Sequence, residues 1–185
     1  QTIDEELCDG ILLHPVVGSK KKGDFNSEYI LKSYEFLMNN YFQKDKFTLS
    51  TFNTYSRYAG PREAVFTALC RKNYGCTHFI VGRDHTGFSD HHDVKASQQL
   101  LDGIEDIGIV IIPFNEVFYS EEKKIYFQSK NSDNKLDSIN QQRISGTDQR
   151  KYLSRGDLPP DWLTRGEISK MLRDAITNGE SVFVE

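Results

Sequence analysis

Four short apolar runs, each closed by glycine, proline or a polar break and separated by segments of helical periodicity, constrain this chain more than any other feature. Residues 10–18, 47–52, 77–82 and 107–113 are rich in β-branched and aromatic residues and too short for helices, so each reads as a strand. Between the first two, residues 27–41 repeat Ile30, Leu31, Tyr34, Leu37 and Met38 at helical spacing, with Asn26 or Ser27 available as N-cap. A second helix opens on Gly60-Pro61 with Glu63 in its first turn, and residues 96–101 read as a third. Strands alternating with helices in this way predict an α/β fold with a parallel sheet flanked by helices.

Beyond Pro113 the pattern changes. Residues 114–119 and 124–127 read as two short strands around a polar turn, and residues 129–143 as an exposed polar loop. A last amphipathic helix spans about residues 167–175, with Ile168, Met171 and Leu172 on one face. The division expected is a larger core over residues 1–113 and a smaller C-terminal α/β subdomain over 114–185. A chain of 185 residues has room for that and for no large second domain.

Charge and cysteines narrow the function classes. Lys and Arg total 23 against 27 Asp and Glu, a net charge of -4, which argues against a general nucleic-acid binder. Cys8, Cys70 and Cys76 have neither an even count nor metal-ligand spacing, so we expect reduced thiols in a cytoplasmic protein. No run approaches the roughly 20 apolar residues of a membrane span. The acidic residues 4–6 do not resemble a signal or transit peptide. Homo-oligomerisation is compatible with all of this.

The chemistry concentrates where the third apolar run ends. Gly82, Arg83, Asp84, His85, Thr86 and Gly87 follow the run directly, at the carboxyl end of a strand, where open α/β sheets bind ligands. Glycines let a ligand approach the backbone, and Arg83 offers a planar fork of donors for phosphate or sulfate. On residue types alone a solvated connection is the commoner reading of such a loop. The strand within the first run ends near His14, which stands beside the same crevice as a phosphate ligand or a structural histidine. Gly18 to Gly23 has the look of a P-loop, but Asp24 and Phe25 stand where that motif needs Lys and Ser or Thr. Lys20, Lys21 and Lys22 read as a solvated loop that also raises the local potential. Ser89, Asp90, His91, His92 and Asp93 are metal-binding residue types, yet neighbouring histidines do not readily converge on one ion, and we expect no metal there. Ser145 or Thr147 caps a helix whose free amides, with Gly146 and with Arg150 one turn inward, could meet a pyrophosphate; an ordinary capped helix is the default alternative.

A resemblance gives these residues a chemistry. The string from Arg71 to His85, Arg-Lys-Asn-Tyr-Gly-Cys-Thr-His-Phe-Ile-Val-Gly-Arg-Asp-His, resembles the signature of the ATP sulfurylase (sulfate adenylyltransferase) family. So do His-Pro-Val-Val-Gly with Lys22-Gly23-Asp24, Tyr-Ala-Gly-Pro-Arg-Glu-Ala at 58–64, Ile-Ser-Gly-Thr at 144–147 followed by Arg150, and Leu-Pro-Pro-Asp-Trp at 158–162. Residues 164–167 depart from the family, which usually has Pro before Glu167. The resemblance implies a Rossmann-like nucleotidyltransferase that adenylylates sulfate with MgATP, giving adenosine 5′-phosphosulfate and pyrophosphate. It implies ATP contacts at Gly82, Arg83, Asp84, His85 and Val117, sulfate contacts at Arg83 and Thr86, and catalysis by Arg83 and His85. Thr86 stands where the family has alanine. Mg2+ is expected on the nucleotide phosphates. No zinc is expected, because the region where some members carry a zinc site has no Cys here. The family's upstream Gln-x-Arg-Asn-Pro-x-His-x-x-His segment does not occur in this sequence: Gln1-Thr2 matches its opening and Ile3 departs from it. We therefore expect part of a longer catalytic chain. The alternatives are a homologue that binds nucleotide without catalysis, and a nucleotidyltransferase for another substrate.

Overall fold

The computed structural model describes residues 7–82, 95–128 and 141–185. In chain order these form β1 (Ile11–Leu13), α1 (Ser27–Asn40), β2 (Phe47–Leu49), α2 (Pro61–Asn73), β3 (His78–Val81), α3 (Ala96–Asp102), β4 (Val110–Pro113), β5 (Val117–Ser120), β6 (Ile125–Gln128), β7 (Gln141–Arg143), α4 (Gly146–Ser154) and α5 (Gly166–Thr177). The class is α/β with parallel strand pairs and flanking helices, as the alternation predicts. The chain divides into two compact units, Gln1–Ser56 with Ser145–Glu185, and Arg57–Ile144.

In the first unit β1 and β2 pair in parallel, Ile11 opposite Phe47 through Leu13 opposite Leu49. Backbone bonds continue past both strands, from Phe52 N to Pro15 O (2.9 Å), Val17 N to Phe52 O (3.1 Å) and Gly18 N to Thr54 O (2.8 Å). A Cβ on Gly18 would lie 2.1 Å from that Thr54 oxygen, so strand contact alone demands the glycine. The core joins Tyr29 of α1, Leu153 of α4, Ile168, Leu172 and Ala175 of α5, and Val182. Asn26 stands at the N-cap of α1 but makes no side-chain cap bond there. Its amide donates instead to the carbonyls of Ser181 and Phe183. Alongside, Asn26 N donates to Val182 O (2.9 Å) and Val184 N to Asp24 O (2.8 Å), fastening the end of the chain against the start of α1.

In the second unit β3 and β4 pair in parallel, His78 opposite Val110 through Val81 opposite Pro113. Phe79 and Val81 point to the core with Ala64 and Ala68 of α2, Leu101 of α3 and Ile109. The alternate residue Ile80 is 40% exposed. β4 begins later than the apolar run because Gly108 turns the chain at φ +71°, its amide donating to the Asp106 carboxylate (2.7 Å). β5 pairs antiparallel with both β6 and β7.

Two expectations change. Residues 141–143, read as the end of a loop, form β7, with Phe118 opposite Arg143 and Ser120 opposite Gln141. Gln141-Gln142-Arg143 has no intrinsic β preference, so pairing to β5 and the Arg143–Glu116 ion pair set the strand. Residues 129–140 of that segment lie outside the described residues. The expected boundary at residue 113 falls inside the second unit, at the end of β4, while α4 and α5 pack with α1.

Candidate active site

A parallel strand delivers its last residue to the carboxyl end of the sheet, and a helix that leads into the next strand through a short connection must run back along it. Residues 74–77 are all that separate α2 from β3, and Ala64 and Ala68 share a core with Phe79 and Val81. The amino end of α2, with the turn at residues 57–60, therefore lies at the same end as Gly82. Gly82 directly follows β3; among the described residues no atom stands within 4 Å of where its Cβ would be. No described residue therefore blocks approach to its backbone from that side, as a ligand-binding glycine requires.

The turn before α2 is tightly specified. Tyr58 has φ +52° and Gly60 φ +59°, left-handed values that cost a side-chain-bearing residue free energy unless its neighbours impose them. Glu63 braces the turn around Tyr58: its carboxylate accepts from Arg57 N (2.8 Å) and Ala59 N (3.1 Å). Arg57 in turn holds its guanidinium 4.6 Å over the Phe66 ring.

A second clasp lies on α3. Gln98 Nε2 donates to Val81 O (3.0 Å) and to Phe114 O (3.1 Å), while Phe114 N donates to the same Val81 oxygen (2.9 Å). The chain leaves Val81 for Gly82, and leaves Phe114 for Val117. Asn115 N donates to Gln128 Oε1 (3.1 Å), and Ile144 N to Val117 O (3.3 Å). The two expected ATP contacts that lie among the described residues of this unit, Gly82 and Val117, are thus tied through one short hydrogen-bonded segment.

The other described candidates belong to the first unit. His14 follows β1, is 9% exposed, and its ring centroid lies 5.0 Å from that of Phe52. Ser145 is the N-cap of α4, its hydroxyl accepting from Asp148 N (3.2 Å). Thr147 takes another partner: its hydroxyl accepts from Arg150 Nη2 (3.3 Å). Ser145, Gly146, Thr147 and Arg150 therefore form one cluster at the start of α4, where free amides and a guanidinium sit together. Lys20 donates to Val16 O (2.7 Å), and burial lowers its ammonium pKa against the opposing pull of Asp24.

Arg83, Asp84, His85, Thr86 and Gly87 lie outside the described residues, as do residues 89–93. Among the described residues no three of His, Cys, Asp and Glu gather to hold a metal ion, and no helix is long and apolar enough to cross a membrane. Sequence reasoning missed Glu63 as the clasp of the turn, and missed Gln98 and Gln128 altogether. The one available signal for Gln98 was a polar residue between Ser97 and Leu101, both of which are buried in α3.

Comparison with known proteins gives these positions a family. The ATP-sulfurylase family model matches residues 1–175. The sulfate adenylyltransferase of Nostoc punctiforme is 41% identical over 173 residues, covering 92% of this chain and 44% of that protein. That of Thermococcus onnurineus is 39% identical over 179 residues, covering 97% of this chain and 46% of its own length. A solved chain described as a hexameric APS kinase from Thiobacillus denitrificans superposes with a TM-score of 0.64 at 20% identity, covering 94% of this chain and 31% of that one, a likeness of fold. The chain spans less than half the length of these curated relatives. With the family model spanning nearly its whole length and the strand-end Gly82, the turn before α2 and the capped α4 all within residues 1–175, this chain belongs to the ATP-sulfurylase family.

Proposed function

We propose that the protein containing this chain is a sulfate adenylyltransferase, which transfers the adenylyl group of ATP to sulfate and releases pyrophosphate, in the cytoplasm. The observation that carries this reading is the family match over residues 1–175. In the reaction a sulfate oxygen attacks the α-phosphorus, forming the sulfate–phosphorus bond as the bond to the β-phosphate oxygen breaks. Two anions must be brought together in line, and the charge leaving with pyrophosphate must be stabilised. Arg83 is assigned to sulfate and α-phosphate charge, and His85 to orienting the phosphates. Gly82, Asp84 and Val117 are assigned to holding the nucleotide, and Thr86 to sulfate. His14 and the α4 cluster of Ser145, Gly146, Thr147 and Arg150 are assigned supporting phosphate contacts. Mg2+ is assigned to the phosphates of ATP, with which it enters.

The test is pyrophosphate release by the native full-length protein. Release should depend on both ATP and sulfate, and should fall about 100-fold or more in Arg83→Ala, the scale of losing a donor to developing charge. A sulfate-independent rate, or an organic phosphate serving better than sulfate, would overturn the substrate assignment. An unchanged rate in Arg83→Ala would overturn the residue's role.

A further inference from the structure

We infer that Gln98 is a positioning residue for nucleotide binding, holding the two chain segments that lead to Gly82 and Val117 in one fixed register. The inference rests on the nucleotide site proposed above and adds a residue that does not itself touch substrate. Its basis is one carboxamide nitrogen shared between two carbonyls on different strand ends. Gln98 Nε2 reaches Val81 O at 3.0 Å and Phe114 O at 3.1 Å, using both hydrogens of the amide. Val81 O also accepts from Phe114 N at 2.9 Å, so both of its lone pairs are engaged.

Ladder bonds alone do not fix the end of this pair. Opposite Val81 stands Pro113, which has no N–H to give, and the last ladder bond comes from Phe114. Beyond it one strand leads to Gly82 and the other through Asn115 and Glu116 to Val117. Without the amide of Gln98, the Phe114 carbonyl loses this partner and the two exits are joined by a single bond. A side chain that only filled space would bury apolar atoms there, as Leu101 does one turn later at 2% exposure. What Gln98 contributes is a pair of directed donors, aimed at the two carbonyls that precede the expected ATP contacts. The Asn115 amide, held by Gln128 Oε1, restrains the same segment from the β6 side. An error of about 1 Å in such a segment is enough to weaken binding or misalign reacting groups.

The experiment compares Gln98→Met, which keeps the length and removes both donors, with Gln98→Glu, which sets a carboxylate against two carbonyls. Gln99→Met, at the exposed neighbouring position, is the control. In the native full-length protein both Gln98 variants should raise KM for ATP at least fivefold and change kcat less than threefold. The melting temperature should stay within a few degrees of the parent, and the control should match it. A KM for ATP within twofold of the parent in Gln98→Met, or an equal rise in the Gln99 control, overturns the inference. Hydrogen exchange of peptides covering residues 79–82 and 114–117 separates this result from failure of the proposed reaction. Even in a protein without adenylyl transfer, Gln98→Met should speed exchange there and not in α4, and unchanged exchange overturns the inference on its own.

Discussion

Two glycines illustrate how differently the same residue type can be used. Gly18 is fixed by the fold: a Cβ there meets the Thr54 carbonyl at 2.1 Å, and neither backbone can give way without breaking the ladder bond between them. Gly18→Ala should cost on the order of 1–3 kcal/mol or more in denaturant unfolding, the range for forcing extra volume into a packed site. Gly82→Ala meets no described atom and should leave stability within about 0.5 kcal/mol. Its loss should appear in ATP binding, as calorimetry would report. The sequence displayed both glycines with equal prominence, since the difference lies in what stands opposite each, 36 residues away in the case of Thr54. Glu63 and Gln98 were hidden for the same reason: their partners are backbone groups brought near by packing. Tyr29 gives a pH signature. Donation to the Glu180 carboxylate, with burial adding, raises its phenol above the ordinary tyrosine range. A group whose folded pKa is raised adds stability below its unfolded value, about pH 10, and loses it as the pH climbs through the folded value. Tyr29→Phe should therefore remove an alkaline component from the stability profile, measured by urea unfolding from pH 8 to 11.

Element boundaries followed local chemistry wherever local chemistry was decisive. Pro61 starts α2, Gly75 with φ +90° follows its end, and the expected helix over 27–41 appears as Ser27–Asn40. β7 was illegible, because a Gln-Gln-Arg strand exists only through its partner β5. For α4 the sequence left the cap open between Ser145 and Thr147, and the hydroxyl that reaches Asp148 N belongs to Ser145. Ser145→Ala should cost about 1 kcal/mol, while Thr147→Ala should cost less in stability and instead free Arg150. Thermal melts of the pair will rank them, and equal costs would mean that the cap is shared.

At the scale of the molecule the two units keep separate cores, one around Leu153 and Leu172 and the other around Val81 and Leu101. Leu172→Ala and Leu101→Ala each remove a side chain that is 2% exposed and should each cost about 2–5 kcal/mol. Native-state hydrogen exchange should locate each loss chiefly in its own unit, in the manner of separate cooperative regions. Composition and periodicity predicted the fold class correctly but set a division at residue 113, for a change of texture along the chain does not report which distant segments share a core.

The fastening of residues 182–184 against 23–26 bears on how the polypeptide is made. During synthesis the stretch 57–144 can close its own core before residues 145–182 appear, whereas α1 meets Leu153, Leu172 and Val182 only after that whole stretch has been made. Until then Tyr29 stays uncovered, so the unit that surrounds residues 57–144 completes its fold later than the one inserted in it.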